Sequence, residues 1–284
     1  MNKERLIKKV LSPDAFIISP LVGGMMNESF IVSDGKKKYV LYVSTKQANE
    51  MVNRELEKEN QSLVYSLGIT SKNVYFDTES GIKINEFIEG SSLDKISEYD
   101  VKKLVKTLHV LHNSKVLSKE NYSPFIRFVN YENEANSHHK NVDPHYLKLR
   151  DLLFKNKDYL ESQKLALCHN DAQKSNIIKS INDEYFLIDF EFMGNNDPIY
   201  DIATFGNGLV KEGLDLLNEY EPNPSDDLIK RYYLWRIFIS LQWYNVALIK
   251  HYRGEGKIHN FNFLDVASHF LNNALDAQNS LSKK

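Results

Sequence analysis

Three short apolar runs between residues 165 and 189 each give way to polar residues that a buried strand does not tolerate. Leu165-Ala166-Leu167-Cys168 stops at His169-Asn170-Asp171, Asn176 leads into Ile177-Ile178, and Tyr185-Phe186-Leu187-Ile188 stops at Asp189. Runs this short, separated by the polar turn Asp183-Glu184, predict buried strands rather than helices. Two such strands meet with their polar ends together. That gathers Asp171, an Asn five positions later (Asn176) and a second Asp eighteen positions after the first (Asp189).

This acid, amide and acid resemble the catalytic pattern of kinase-like phosphotransferases. Residues 168–176 are similar to the catalytic loop of choline kinases and aminoglycoside phosphotransferases. Leu187-Ile188-Asp189-Phe190-Glu191-Phe192, then Asn196-Asp197-Pro198-Ile199-Tyr200-Asp201-Ile202-Ala203, resembles the choline kinase pattern of an acidic pair, an NDP step and an aromatic-Asp step. The likeness extends upstream through Val52-Asn53-Arg54-Glu55 and residues 81–88. It is most similar in kind to bacterial choline kinases that feed phosphocholine to surface polysaccharides. Protein kinases fit less well, because eleven residues between Asp189 and Asp201 are too few for a long activation segment.

The resemblance implies an α+β, two-lobed protein-kinase-like fold, with a β-rich N-lobe (1–88) and a larger helical C-lobe (89–284). It implies Mg2+ and ATP as cofactors and a small-molecule alcohol as acceptor, choline or a related amino alcohol first. Asp171 is then the base that aligns the hydroxyl, and Asn176 and Asp189 hold magnesium against the nucleotide phosphates. Glu191 holds magnesium through water or shapes the acceptor side. The alternatives are a kinase for ethanolamine, thiamine or an aminoglycoside, and a nucleotide-binding pseudokinase.

The N-terminal part reads as a small sheet with one helix. Strands are predicted at 16–18, 29–32, 39–43, 73–76 and 82–87, and a helix at 50–67 on the spacing of Met51, Leu56, Leu63 and Leu67. Gly23, Gly24 and Asn27 lie between the first two strands, where a phosphate-covering loop belongs, since glycine lets backbone amides approach phosphate oxygens. The backbone of Glu86 and Ile88, within a hinge at 85–90, is placed to pair with an adenine edge. Glu55 on the helix is the expected partner of a phosphate-binding lysine. That lysine is missing: where the resemblance calls for Lys or Arg on the third strand, the chain has Tyr42. Lys38, on the same strand face, and Lys46 are the alternatives.

After residue 90 helical spacing takes over, beginning with Val101, Leu104, Val105, Leu108 and Leu111. Choline has no hydrogen-bond donors on its trimethylammonium group, so aromatic faces must recognise it. The resemblance places Trp243 at the first of two tryptophan positions and Val246 at the second; Tyr200, Trp235 and Tyr244 are further candidates. The adjacent His138 and His139 lack partners at metal-ligand spacing and predict a loop or surface helix. Residues 280–284 read as a frayed tail.

Composition narrows the partners. A formal net charge of -2 on 284 residues gives no basis for nucleic-acid or membrane-surface binding. The richest apolar run, 232–249, is interrupted by Arg236, Gln242 and Asn245, short of the ~18 to 20 apolar residues of a membrane span. The N-terminus carries Lys3, Glu4, Arg5, Lys8 and Lys9 instead of a signal-peptide core. One cysteine, Cys168, cannot form an internal disulfide, and a reducing cytoplasm is expected.

Overall fold

Apolar runs at residues 30–32 and 39–43 and the alternating Ile82–Glu86 build the middle of a sheet whose two faces carry different chemistry. In chain order, the computed structural model contains α1 (Lys3–Val10), β1 (Phe16–Leu21), β2 (Asn27–Ser33), β3 (Lys38–Ser44), α2 (Arg54–Ser66), β4 (Asn73–Asp77) and β5 (Ile82–Glu86). Then follow β6 (Gly90–Ser92), α3 (Val101–His112), α4 (Pro124–His138), α5 (Pro144–Lys155), α6 (Lys157–Glu161) and β7 (Ala166–Cys168). The chain continues through β8 (Ile177–Ser180), β9 (Tyr185–Leu187), β10 (Gly194–Asn196), α7 (Pro198–Phe205), α8 (Val210–Tyr220), α9 (Asp226–Tyr252) and α10 (Phe263–Leu281). The structure describes residues 2–21, 27–45, 48–49, 52–256 and 262–283.

The chain groups into two compact units, residues 1–120 with 174–194, and residues 121–173 with 195–284. The first of these takes in residues 89–120 and 174–194 along with the N-terminal sheet. The later strands return to the first unit: the Leu187 N–H donates to the Ile69 carbonyl at 2.9 Å and the Ile181 N–H to the Glu89 carbonyl at 2.9 Å.

In the first unit, five antiparallel strands run in the order β1-β2-β3-β5-β4. Leu41 and Ile84 stand opposite one another on β3 and β5. Both are buried in a cluster with Leu6 and Ile7 of α1, Ala15 and Val32. One residue further along, Tyr42 stands opposite Lys83. Strand alternation turns this pair to the other face of the sheet.

Helix α2 starts on Asn53, whose side chain accepts the Leu56 N–H at 3.2 Å. Its buried stripe is Arg54, Glu57, Asn60, Gln61 and Val64, whereas Leu56, Leu63 and Leu67 are only half-buried. Apolar spacing therefore located the helix but not its inner face. On that face Asn60 donates to the Met193 carbonyl at 3.0 Å. Strands β6, β8 and β9 form a second antiparallel sheet.

In the second unit, α9 runs for 27 residues with most of its side chains buried, and α4, α5, α7 and α10 pack around it. A helix apolar on so many sides belongs at the centre of a bundle. Helix α10 continues to Leu281, past the expected start of the tail, and buries Ala274 and Ala277. No helix among the described residues is long and apolar enough to cross a membrane.

Gly90 tests how tightly β6 meets β8. A Cβ there would lie 2.2 Å from the Lys179 carbonyl oxygen, a backbone atom that cannot step aside. Gly90→Ala is expected to lower stability by about 1–3 kcal/mol through overpacking. Gly208→Ala, which meets nothing within 4 Å, is expected to stay within about 0.5 kcal/mol of wild type. Urea denaturation of the two variants side by side measures the difference.

Candidate active site

Strands β8 and β9 carry two of the three predicted site residues to neighbouring ends within the first unit. Asn176 closes a short 3-10 turn (Lys174–Asn176) just before β8, and its carbonyl accepts the Ile188 N–H at 3.0 Å. That bond fixes the residue before Asp189 against Asn176. Asp189 itself has φ 68°, the left-handed region a non-glycine residue rarely occupies. Its side chain is 27% exposed, while the neighbouring Glu191 side chain is at 4%. The strand ends thus present an amide and a carboxylate, the oxygen donors that suit a hard cation such as magnesium.

Next to Asp189 lies a cluster of buried charge drawn from three elements. Lys83 Nζ on β5 hydrogen-bonds Glu57 on α2 and sits 3.4 Å from Asp189 Oδ1. Glu57 is held on its other oxygen by Arg54 Nη1 at 2.6 Å. Arg54 Nη1 also lies 3.5 Å from Glu191 Oε2, an oxygen with no hydrogen bond among the described residues. Burial alone pulls the Lys83 ammonium down, but the carboxylates of Glu57, Asp189 and Glu191 overcome it and hold the group charged, above the usual lysine range. Glu191 moves the other way for a carboxylate: burial and the Asp189 charge outweigh Lys83 and Arg54, and its carboxyl is pushed up to about 8. The Tyr42 phenol faces Lys83 with its ring centroid 4.9 Å from Nζ. Burial outweighs the pull of Lys83 and raises the phenol to about 12, so Tyr42 stays neutral and supplies no charge.

The second unit holds the third predicted residue. Asp171 follows β7 on a loop whose backbone is gripped by Asp201 of α7. The Asp201 carboxylate accepts the His169 N–H at 2.8 Å and the Asn170 N–H at 2.7 Å, one on each oxygen. Asn196 Nδ2 donates to Asn170 Oδ1 at 2.8 Å, and Asn170 Nδ2 to the Cys168 carbonyl at 3.2 Å. These bonds hold Asn170 at φ 64°, a kink that turns the chain into Asp171. The Asp171 N–H reaches His169 Nδ1 at 3.3 Å, and Asp171 Oδ2 accepts from Gln173 Nε2 at 3.2 Å. Helix α7 is anchored in turn by Asp197, which caps it through the Ile199 N–H at 3.0 Å and accepts from Trp235 Nε1 at 2.7 Å. Cys168 donates to the Asn196 carbonyl at 3.3 Å, and burial pushes its thiol up, so it is packing rather than a nucleophile.

Other predicted residues fall in different places. Gly23, Gly24 and Lys46 lie outside the described residues. Asn27 opens β2 opposite Ser44, and its Oδ1 is buried without a hydrogen bond among the described residues. Glu55 is exposed and bonds Thr78, while two residues further around α2 the buried Glu57 is the carboxylate that meets Lys83. Lys38 reaches outward to Glu89 at 2.9 Å. Glu86 ends β5 and Ile88 follows it, both half-buried. Tyr200 is 1% exposed, encased by Tyr122, Trp235 and Phe238, and so offers packing rather than a face for a ligand. Trp243 is half-buried and stacks on Phe270 of α10 at 6.2 Å. His138 and His139 lie against Tyr252 at the end of α4.

Three residues that hold the predicted ones, one in the second unit and two in the first, were not assigned from sequence. Asp201 stood inside the quoted aromatic-Asp step without a role. Lys83 and Glu57 gave no signal, because each reads as an ordinary strand or helix charge until the sheet is assembled.

The choline/ethanolamine kinase family model matches residues 18–212 of this chain. Protein LicA of Haemophilus influenzae is 28% identical over 250 residues, which cover 82% of this chain and 74% of LicA. Among solved structures, the choline kinase LicA from Streptococcus pneumoniae has a TM-score of 0.76 at 25% identity, over 99% of this chain and 98% of that one. A structure of LicA in complex with AMP has a TM-score of 0.74 at 25% identity, over 98% and 97%. The sheet-rich N-terminal region and helical C-terminal region are those of the protein-kinase-like fold. With more than half of its length matched by the family model, the chain belongs to the choline/ethanolamine kinase family.

Proposed function

We infer that this protein transfers the γ-phosphoryl group of ATP to the hydroxyl of a small amino alcohol, choline first. The observation that carries the reading is the pairing of Asn176 with Asp189 at clasped strand ends beside a buried lysine, in a chain of this family. That donor set fits magnesium, and Asn176 and Asp189 are the residues to hold it. A bound magnesium ion supplies charge neutralisation on the nucleotide phosphates. Asp171 aligns the acceptor hydroxyl and takes its proton, and the Asp201 bonds hold the backbone on which it stands. Catalysis of this kind rests on positioning and electrostatic stabilisation. The AMP complex of LicA supports a nucleotide as one ligand. Trp243 is the aromatic residue proposed to face the acceptor's cationic group. The lone buried cysteine suits a reducing cytoplasm.

A nucleotide-consumption screen with Mg-ATP against choline, ethanolamine, thiamine and aminoglycosides tests the reading; turnover with none of them would refute it. Asp171→Asn is expected to remove most turnover while nucleotide affinity stays within a few-fold, and Asp189→Asn to abolish magnesium-dependent nucleotide binding. Wild-type rates in both variants would place the chemistry elsewhere.

Asp201→Asn removes the charge from an acceptor of two backbone amides, so it is expected to cost about 1.5–3 kcal/mol of stability and to lower kcat more than it raises the ATP KM. Thermal unfolding and steady-state kinetics on one preparation read both effects. For the acceptor, Trp243→Leu is expected to weaken choline by about 0.5–2 kcal/mol, roughly twofold to thirtyfold, because it keeps bulk and loses the ring quadrupole. An unchanged choline KM would remove Trp243 from the acceptor site.

A further inference from the structure

We propose that Lys83 of β5 is the cation that binds the nucleotide phosphates, so that the phosphate anchor stands one strand away from its expected place on β3. The proposal rests on the kinase reading above and names a residue of that same site. The expected position is filled by Tyr42, and the residue directly across the ladder from it is Lys83. Cross-strand partners share a face of the sheet. A lysine at either position therefore enters the same space, and its four-carbon stem spans the ~5 Å between neighbouring strands.

The surroundings of Lys83 are those such a cation needs. Its side chain is 3% exposed and is fixed at Nζ by Glu57 from α2. Nζ reaches to 3.4 Å from Asp189 Oδ1, the carboxylate proposed to carry magnesium. Glu57 is itself clamped by Arg54, so the helix carboxylate cannot swing away from the lysine. Lys37 and Lys38, on β3 and the turn before it, point outward to Glu86 and Glu89. Burying an ammonium group is expensive, and an apolar side chain at position 83 would continue the neighbouring isoleucines at a lower desolvation cost. Neutral Tyr42 offers its ring face to the ammonium and leaves the charge to Lys83.

The test compares Mg-ATP, ADP in EDTA and adenosine binding by calorimetry on the full chain. Lys83→Met is expected to weaken ATP and ADP by about tenfold to a hundredfold, the loss of one charge-assisted hydrogen bond, and to leave adenosine within threefold. The double variant Tyr42→Lys, Lys83→Met is expected to recover most of that loss, because the cation re-enters from β3. Equal weakening of adenosine, or a loss confined to magnesium-containing buffer, would overturn the proposal by making Lys83 a packing or metal-site residue. Unchanged ATP and ADP affinity in Lys83→Met, with wild type binding both, would overturn it while leaving the kinase reading intact. Failure of wild type to bind either nucleotide would overturn both. If Lys83→Met does not fold, Lys83→Gln, which keeps a donor to Glu57, carries the same comparison with the same expected losses.

Discussion

A carboxylate cannot be buried alone, and Glu57 is almost fully buried. In the first unit Arg54 takes one of its oxygens and Lys83 the other. This arrangement ties α2 to β5, and through the contact of Lys83 with Asp189 it ties both to the chain leaving β9. Three separate stretches of sequence therefore meet through charge rather than through apolar packing. Arg54 and Glu57 lie on the inner stripe of α2 for this reason.

The second unit solves a related problem for backbone amides. A loop that leaves a buried strand carries N–H groups that no ladder satisfies. Asp201 takes two of them on its two oxygens, and Asn196 fixes the Asn170 side chain. The loop before Asp171 is consequently held by side chains of a later helix and strand. A charged acceptor makes stronger bonds than a neutral one, and the backbone geometry at Asn170 requires such a grip.

In both units, a residue that looks secondary in the sequence holds the one that looks catalytic. Asp189 is recognisable, but Lys83 and the bond from Ile188 to Asn176 set its surroundings. Asp171 is recognisable, but Asp201 sets its loop. The aromatic residues divide in the same way. Tyr200 and Trp235 are consumed by the core around α7 and α9, whereas Trp243 stays half-buried within α9. Aromatic content alone does not distinguish these uses, because burial is a property of the assembled helices.

Much of the fold was legible along the chain. The five sheet strands and the short strands flanking Asp171 and Asp189 lie where short apolar runs placed them, since a period of two and its turn residues are local signals. The acid, amide and acid were legible for the same reason, as a spacing within one segment of 19 residues. The sequence alone thereby determined the elements, the family likeness and the three residues proposed for chemistry. Tertiary structure decided which cation stands beside Asp189 and which carboxylate holds it. The resemblance called for a cation on β3, where the chain has Tyr42, with Glu55 as its partner; in the fold it is Lys83 of β5, held by Glu57, that stands beside Asp189. The reason is physical: cross-strand register joins Tyr42 to a residue far along the chain, and two residues of one helix separate an inward carboxylate from an outward one. Neither leaves a local trace in the order of residues.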